Sequence, residues 1–503
     1  MRSRALRTVL LLALLCVPAV AVTGCGDREP QRAARGAARR DGPPNLLLIV
    51  IDTLRRDALE PSLAGRCDMP ALARRTREAT WFAQASSSSS WTVPALGSLL
   101  TGLAPHEHRL LDLQDVGPHF ARLSSLPELL PEGLRYRRGA FFGGLPPSLR
   151  DVLGQGFDTV QDDFVLQRGP ETLGPWLAQA PPDAPWLLLL HTYEAHDPYG
   201  AANHPPLRVR AGAADVASLD ALGPEPASVD LVRRALLDAG QRDAIRSLPR
   251  FAHHAERVNR YAWAGEGGTI DAALCEDLVT AYRRGVRWVD EQLERTLAWL
   301  DEAGHLENTL WIVTADHGEA FGEHGMLGHG RRLDEELVRI PLVIGGVTPF
   351  TRPSTITASV GIVDLLPTLL ARVGAPVPAG LDGVSLLDVV ARPSAGHPVV
   401  SEVRRTSLHT GGLAEAECLA VRSGTWKWVA TWDRMAQRIE ESCYDLLADP
   451  HERTDLLPAR AQQPRAPDRA ACEAIERARA RLRERVPAGT PGFPAAQACD
   501  SAR

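Results

Sequence analysis

Thr309–His329 reads TLWIVTADHGEAFGEHGMLGH. Leu310, Trp311, Ile312 and Val313 form a short apolar run of β-formers, the pattern of a strand buried on both faces of a parallel sheet. Polarity rises abruptly at Thr314-Ala315-Asp316-His317-Gly318, so Asp316 and His317 fall at the carboxyl end of that strand. Ligands of open α/β sheets bind at such ends. A carboxylate beside an imidazole is a donor pair suited to a divalent metal. His324 and His329 follow among three glycines, Gly322, Gly325 and Gly328. A turn built on Asp-His-Gly is the plainer alternative. The apolar run before it, and three histidines between 317 and 329, favour a metal or substrate site.

Outward from this stretch the same design recurs. Asn45–Ile51, NLLLIVI, is a second buried-strand run, and it ends at Asp52-Thr53. Asp52 alone could be a helix cap. Paired with Asp316 it makes two strands that deliver carboxylates to one sheet edge. Trp186 to Leu190 is a third such run, ending at His191-Thr192-Tyr193-Glu194-Ala195-His196. His196 is read as a site residue and His191 as structural. Pro341 to Gly345 is a fourth strand. Tyr282, Val286, Val289, Leu293, Leu297 and Leu300 mark the apolar face of a long helix. Alternating strands and helices predict an α/β fold, with a large, mainly parallel or mixed sheet sandwiched by helices.

Ser86 to His108, SSSSSWTVPALGSLLTGLAPHEH, opens with a serine run expected to be loop. Pro94 suits the first turn of a helix whose apolar face is Leu96, Leu99 and Leu100. Thr92 is then expected just before that helix, where free N–H groups favour an anion. Its hydroxyl is either a helix cap or, with a metal to lower its pKa, a nucleophile toward a sulfate or phosphate.

These motifs together resemble the sulfatase family of the alkaline phosphatase superfamily. IVIDTLRRD at 49–57, WTVPALGSLLTGLAPHEH at 91–108, HTYEAHDPY at 191–199 and TADHGEAFGEHG at 314–325 carry the resemblance. VDLLPTLLARVGAP at 363–376 and CYDLLADPHERTDL at 443–456 extend it. The resemblance implies an alkaline-phosphatase-like fold and a single-metal core of Asp52, Thr92, Asp316 and His317. It implies that His196 and His329 steady the transferred group or protonate the leaving group. Formylglycine sulfatases carry Cys or Ser followed by x-Pro-Ser-Arg. Here Thr92-Val93-Pro94-Ala95-Leu96 stands at that place, so no formylglycine is expected. Thr53 likewise replaces a second aspartate. Threonine at this position resembles the superfamily's phosphotransferases and phosphodiesterases. The expected cofactor is one divalent ion: zinc, manganese or calcium. The rival from another class is an inactive sulfatase-like protein that binds a sulfated or phosphorylated glycan.

The rest of the chain sets the context. Arg2, Arg4 and Arg7 precede the apolar run Val9 to Val22, and Thr23-Gly24-Cys25 follows. This reads as a lipoprotein signal over residues 1–24, with lipid on Cys25 anchoring the exported protein to a bacterial envelope membrane. Residues 25–44 read as an arginine-bearing tether. Residues 45–395 are the expected catalytic domain, with 200–269 an insertion near the site. Residues 396–486 are expected to form a smaller α+β subdomain, and 487–503 a tail. A net charge of −6 gives no reason to expect nucleic acid as a partner. The expected partner is a sulfated or phosphorylated small molecule, glycan or lipid. Export permits disulfides. Cys418 and Cys443 flank an expected strand pair, which leaves open a bridge or two separate thiols.

Overall fold

The computed structural model describes residues 42–60, 67–111, 119–181, 184–196, 199, 272–393, 396–406, 414–434, 436–457 and 469–486. The signal, Cys25, most of the tether, the 200–269 insertion and the tail lie outside them.

Eight strands build the main sheet: β1 (Asn45–Ile51), β2 (Ala79–Phe82), β3 (Arg137–Phe142), β4 (Thr159–Gln161), β5 (Trp186–Thr192), β6 (Thr309–Thr314), β7 (Leu342–Gly345) and β8 (Ser354–Ile356). Their order is β8-β2-β7-β6-β1-β5-β3-β4. Neighbours pair in parallel except at β7, which runs antiparallel to both β6 and β2. Every residue of β1, β5 and β6 is buried. Successive side chains of a strand point to opposite faces, so both faces of the sheet centre are covered. That is why these three segments read as unbroken apolar runs rather than alternating ones.

Two helices matter for the site. In α1 (Thr92–Thr101) all ten residues are buried. It ends where Gly102 takes φ 67° and returns its N–H to the Ser98 carbonyl. Thr92 is the first residue of this helix and Trp91 its cap, one position earlier than the sequence suggested. The shift has a simple cause. Pro94 is third in the helix, and a proline there costs no hydrogen bond, because the first N–H groups of a helix have no intrahelical partner in any case. The long helix is α2 (Ala272–Glu302), and its expected face, Tyr282, Val286, Val289, Leu293, Leu297 and Leu300, is buried in the core.

The carboxyl-terminal part is a four-stranded antiparallel sheet, β9 (Val399–Thr406), β10 (Ala414–Ser423), β11 (Trp426–Asp433) and β12 (Arg438–Asp445), in that order. Ala474, Ile475, Ala478 and Leu482 of a helix at Arg469–Arg485 cover Leu419, Val421 and Trp428. Val403, Cys418 and Ala420 pack instead on Met326, Leu333, Leu337 and Val338. Cys418 and Cys443 are separate free thiols. They lie on the two strands that flank β11, opposite Thr431 and Trp428, so two strand spacings and a three-residue offset separate their backbones by about 14 Å, and a disulfide needs under about 7 Å. Cys472 is disulfide-bonded.

Candidate active site

Strand register builds the centre. Val50 of β1 pairs with His191 on one side and with Thr314 on the other. Asp52 and Asp316 each lie two residues further on, so they arrive at the same level of the sheet edge. The Asp52 N–H donates to the Thr192 carbonyl at 3.0 Å, which extends the ladder past the strand end. Thr53 then turns away at φ 58°. Its N–H donates to Asp316 Oδ1 (3.3 Å), and its carbonyl accepts from the Tyr282 hydroxyl (2.9 Å). Thr53 therefore brings a hydroxyl, donated to the Asp52 carbonyl at 2.7 Å, where a second aspartate would bring a carboxylate.

Asp52, Asp316, His317 and Thr92 converge. Thr92 Oγ1 lies 3.1 Å from Asp52 Oδ2 and 3.2 Å from His317 Nε2. His317 Nε2 is 3.7 Å from Asp52 Oδ1 and 3.5 Å from Asp316 Oδ2. His317 Nδ1 is 2.9 Å from the Gly318 carbonyl. A carbonyl only accepts, so Nδ1 carries the proton of the neutral ring and Nε2 turns a lone pair to the site. Gly318 is required here: a Cβ on it would lie 2.0 Å from the Glu336 carbonyl oxygen.

His191 belongs to this centre, contrary to its reading as structural. Its Nε2 is 3.5 Å from Asp52 Oδ2 and 3.6 Å from Asp316 Oδ2, and Asp52, His191 and Asp316 form a buried group that could hold a metal ion. Asp52 Oδ1, Asp316 Oδ2 and His191 Nε2 have no hydrogen-bond partner among the described residues. Unpartnered buried carboxylates cost several kcal/mol, and a divalent cation would offset that cost, so the donor set fits one. The charges are already split without it. Burial, and Asp316 opposite, push the Asp52 carboxyl well above its ordinary range. For Asp316, burial acts upward but is outweighed by His317 and His191, which hold it below the usual carboxylate range. Burial pushes His317 down to about 4, so its ring is neutral near pH 7.

The other two histidines follow one another outward from the centre in tilted and edge-to-face ring contacts. The His329 ring lies 4.4 Å from that of His317 and 5.0 Å from that of His196. His329 Nδ1 is 2.9 Å from Glu319 Oε1, and Glu319 Oε2 accepts from the Tyr199 hydroxyl at 2.8 Å. The Gly330 N–H donates to the Ser90 carbonyl (2.9 Å), which ties the His329 turn to the loop before Thr92. Sequence reasoning assigned no role to Glu319 or Tyr193. Glu319 is fully buried and orients His329. Tyr193 packs edge-to-face between His191 and His196 with its hydroxyl against Thr92, and burial raises its pKa well above the ordinary value.

A family model described as Sulfatase matches residues 44–375. The multifunctional alkaline phosphatase superfamily protein PehA of Trinickia caryophylli is 29% identical over 230 residues, 41% of this chain and 42% of that protein. Choline-sulfatase of Rhizobium meliloti is 31% identical over 190 residues, 37% of this chain and 34% of that protein. The matched segments thus span well under half of these relatives. Among solved structures, the phosphonate monoester hydrolase of Agrobacterium radiobacter superposes with TM-score 0.59 at 21% identity, over 88% of this chain and 95% of that one. A structure solved with its substrate D-glucosamine-2-N,6-O-disulfate superposes with TM-score 0.62 at 19% identity, over 88% and 97%. The fold is alkaline-phosphatase-like: a large mixed, mainly parallel sheet with a small antiparallel carboxyl-terminal sheet.

Proposed function

The chain belongs to the sulfatase family, and on that premise we propose that it cleaves a sulfate or phosphate-type ester through the Thr92 hydroxyl, without formylglycine. The observation that carries this reading is Thr92 Oγ1 at the first turn of α1, 3.1 Å from Asp52 Oδ2 and 3.2 Å from His317 Nε2. Asp52, His191, Asp316 and His317 would hold one divalent ion, with Thr92 beside it. When bound, that ion supplies charge to a substrate oxyanion and lowers the pKa of a neighbouring hydroxyl. Two carboxylates with imidazoles suit zinc or manganese better than calcium, which takes six to eight oxygens.

The side chains set the chemistry around that ion. Asp52 and His317 each offer an acceptor for the Thr92 proton. The first N–H groups and dipole of α1 favour the anionic group of the substrate. Thr92 oxygen attacks sulfur or phosphorus, and the ester bond to the leaving oxygen breaks. His196 or His329 gives that oxygen its proton, with Glu319 fixing the His329 ring. Water then releases the group from Thr92. We further propose that the protein is exported and lipid-anchored through Cys25. The substrate class follows the relatives: sulfate and phosphonate esters are in their names, and a glucosamine disulfate is bound by one structural neighbour.

The test is turnover of matched aryl sulfate, phosphate monoester and phosphodiester substrates by zinc- and manganese-loaded protein. The expected result is activity on at least one ester that falls about a thousandfold or more in Thr92→Ala. Metal-loaded protein inert on all three would favour a binding module instead.

A further inference from the structure

Behind the strand end that carries Asp316 and His317 lies a second cluster. It joins the His324 loop, the short helix Glu335–Val338 and the turn after β12. One donor atom from each of His324, Glu336 and Glu452 lies within 4.8 Å of the others. Most carboxylates around it are answered by a cation. Glu323 pairs with Arg55 at 2.8 Å and Asp334 with Arg332 at 2.6 Å. Glu335 pairs with Lys427 at 3.1 Å and Arg422 at 3.5 Å. Lys427 is also 2.8 Å from Glu452 Oε1, so one ammonium serves two carboxylates.

Glu336 is different. Its side chain is 9% exposed, and Oε1 has no hydrogen-bond partner among the described residues. No lysine or arginine is paired with it among those residues, and His324 Nε2 lies 3.9 Å from Oε1. Burial, with Asp334 and Glu323 nearby, pushes its carboxyl up to about 8, and burial pushes Glu452 up to about 7. A buried carboxylate left this way takes up either a proton or a cation.

We propose that His324, Glu336 and Glu452 form a second metal site, separate from the Thr92 centre, for a divalent ion of the zinc and manganese class. One imidazole and two carboxylates are donors of that class. The site would have a structural role. Glu452 Oε2 already accepts the Glu335 N–H at 2.6 Å, and the Glu336 carbonyl accepts the Glu319 N–H at 3.1 Å. An ion here would clamp the carboxyl-terminal sheet to the helix that supports Gly318 and to the loop leading to His329.

The experiment strips the purified full chain with chelator, reloads it with zinc alone or manganese alone, and counts bound metal by elemental mass spectrometry. Thermal unfolding is followed in parallel. Wild type is expected to bind two equivalents, and Glu336→Gln and Asp316→Ala one each. The metal-induced rise in Tm should shrink in Glu336→Gln. Glutamine imitates a protonated glutamate in shape, so a cluster that only shares a proton would fold normally and keep the wild-type metal count. That result overturns the proposal. Glu452→Gln is the second variant, with the same expected loss. If wild type binds a single equivalent and Asp316→Ala removes it, the second site fails while the Thr92 centre stands. If a single equivalent is lost in Glu336→Gln and kept in Asp316→Ala, the second site stands and the Thr92 centre fails.

Discussion

Gly318→Ala tests how closely the strand end carrying Asp316 and His317 is fitted to its support. The added Cβ would sit 2.0 Å from the Glu336 carbonyl oxygen and 3.0 Å from its carbonyl carbon. An ordinary carbon–oxygen contact is no closer than about 3.3 Å, so the two backbones must part by about 1.3 Å. Two hydrogen bonds cross this gap: Gly318 N–H to the Leu337 carbonyl (2.7 Å) and Glu319 N–H to the Glu336 carbonyl (3.1 Å). Both open beyond bonding range. Two backbone bonds at about 1 kcal/mol each, with about 1 kcal/mol of overpacking, give a destabilisation of about 3 kcal/mol. The displacement also moves His317 Nε2 from Thr92 Oγ1, so turnover should fall by more than stability alone explains. Urea unfolding with an unchanged slope measures the first effect, and kinetics on the folded fraction the second. Stability within about 0.5 kcal/mol of wild type, with full turnover, would refute the close approach on which this reasoning rests.

Other consequences can be checked separately. His191→Ala should weaken metal binding at the Thr92 centre at least about a hundredfold, measured by competition with a chelating dye, whereas a merely structural histidine would leave affinity unchanged. His397 lies 2.8 Å from the buried Asp364 carboxylate; burial acts to lower its pKa, but Asp364 outweighs this and raises it. The stabilisation should be fully present below the unfolded-state pKa of about 6.5 and be lost as pH rises through the folded value. His397→Gln should therefore cost about 1–2 kcal/mol at pH 5.5 and less at pH 9, by urea unfolding at the two pH values. Cys25→Ser should move the protein out of the membrane fraction of an expressing bacterium; unchanged fractionation and mass would contradict lipid attachment.

Much of the site was legible because chemistry and strand ends coincide. Asp52 and Asp316 stand where apolar runs stop, and burial on both faces makes those runs unmistakable. Thr92 was found by its proline and leucines, though not its position in the helix, because Pro94 is tolerated at any of the first three positions. His191 was passed over for a different reason. It is the second-to-last residue of an apolar strand, and its partners are set by register with Val50 and, through β1, with Thr314, a long-range property that no local pattern encodes. Glu319 was hidden in the same way: its partners His329 and Tyr199 are brought to it by separate segments. A mixed sheet was within the reading, but which strand runs antiparallel was not legible, since the apolar pattern of β7 matches that of its parallel neighbours.

The proposed nucleophile can be observed directly. Metal-loaded protein is incubated with a slow aryl phosphate or sulfate ester, quenched in acid, digested and sequenced by mass spectrometry. Transfer to Thr92 predicts a phosphate or sulfate increment on the peptide bearing Thr92, absent in Thr92→Ala and formed at a reduced level in Thr92→Ser. Sustained turnover in Thr92→Ala, with no increment on any residue of the wild-type protein, would contradict it and leave water as the attacking group.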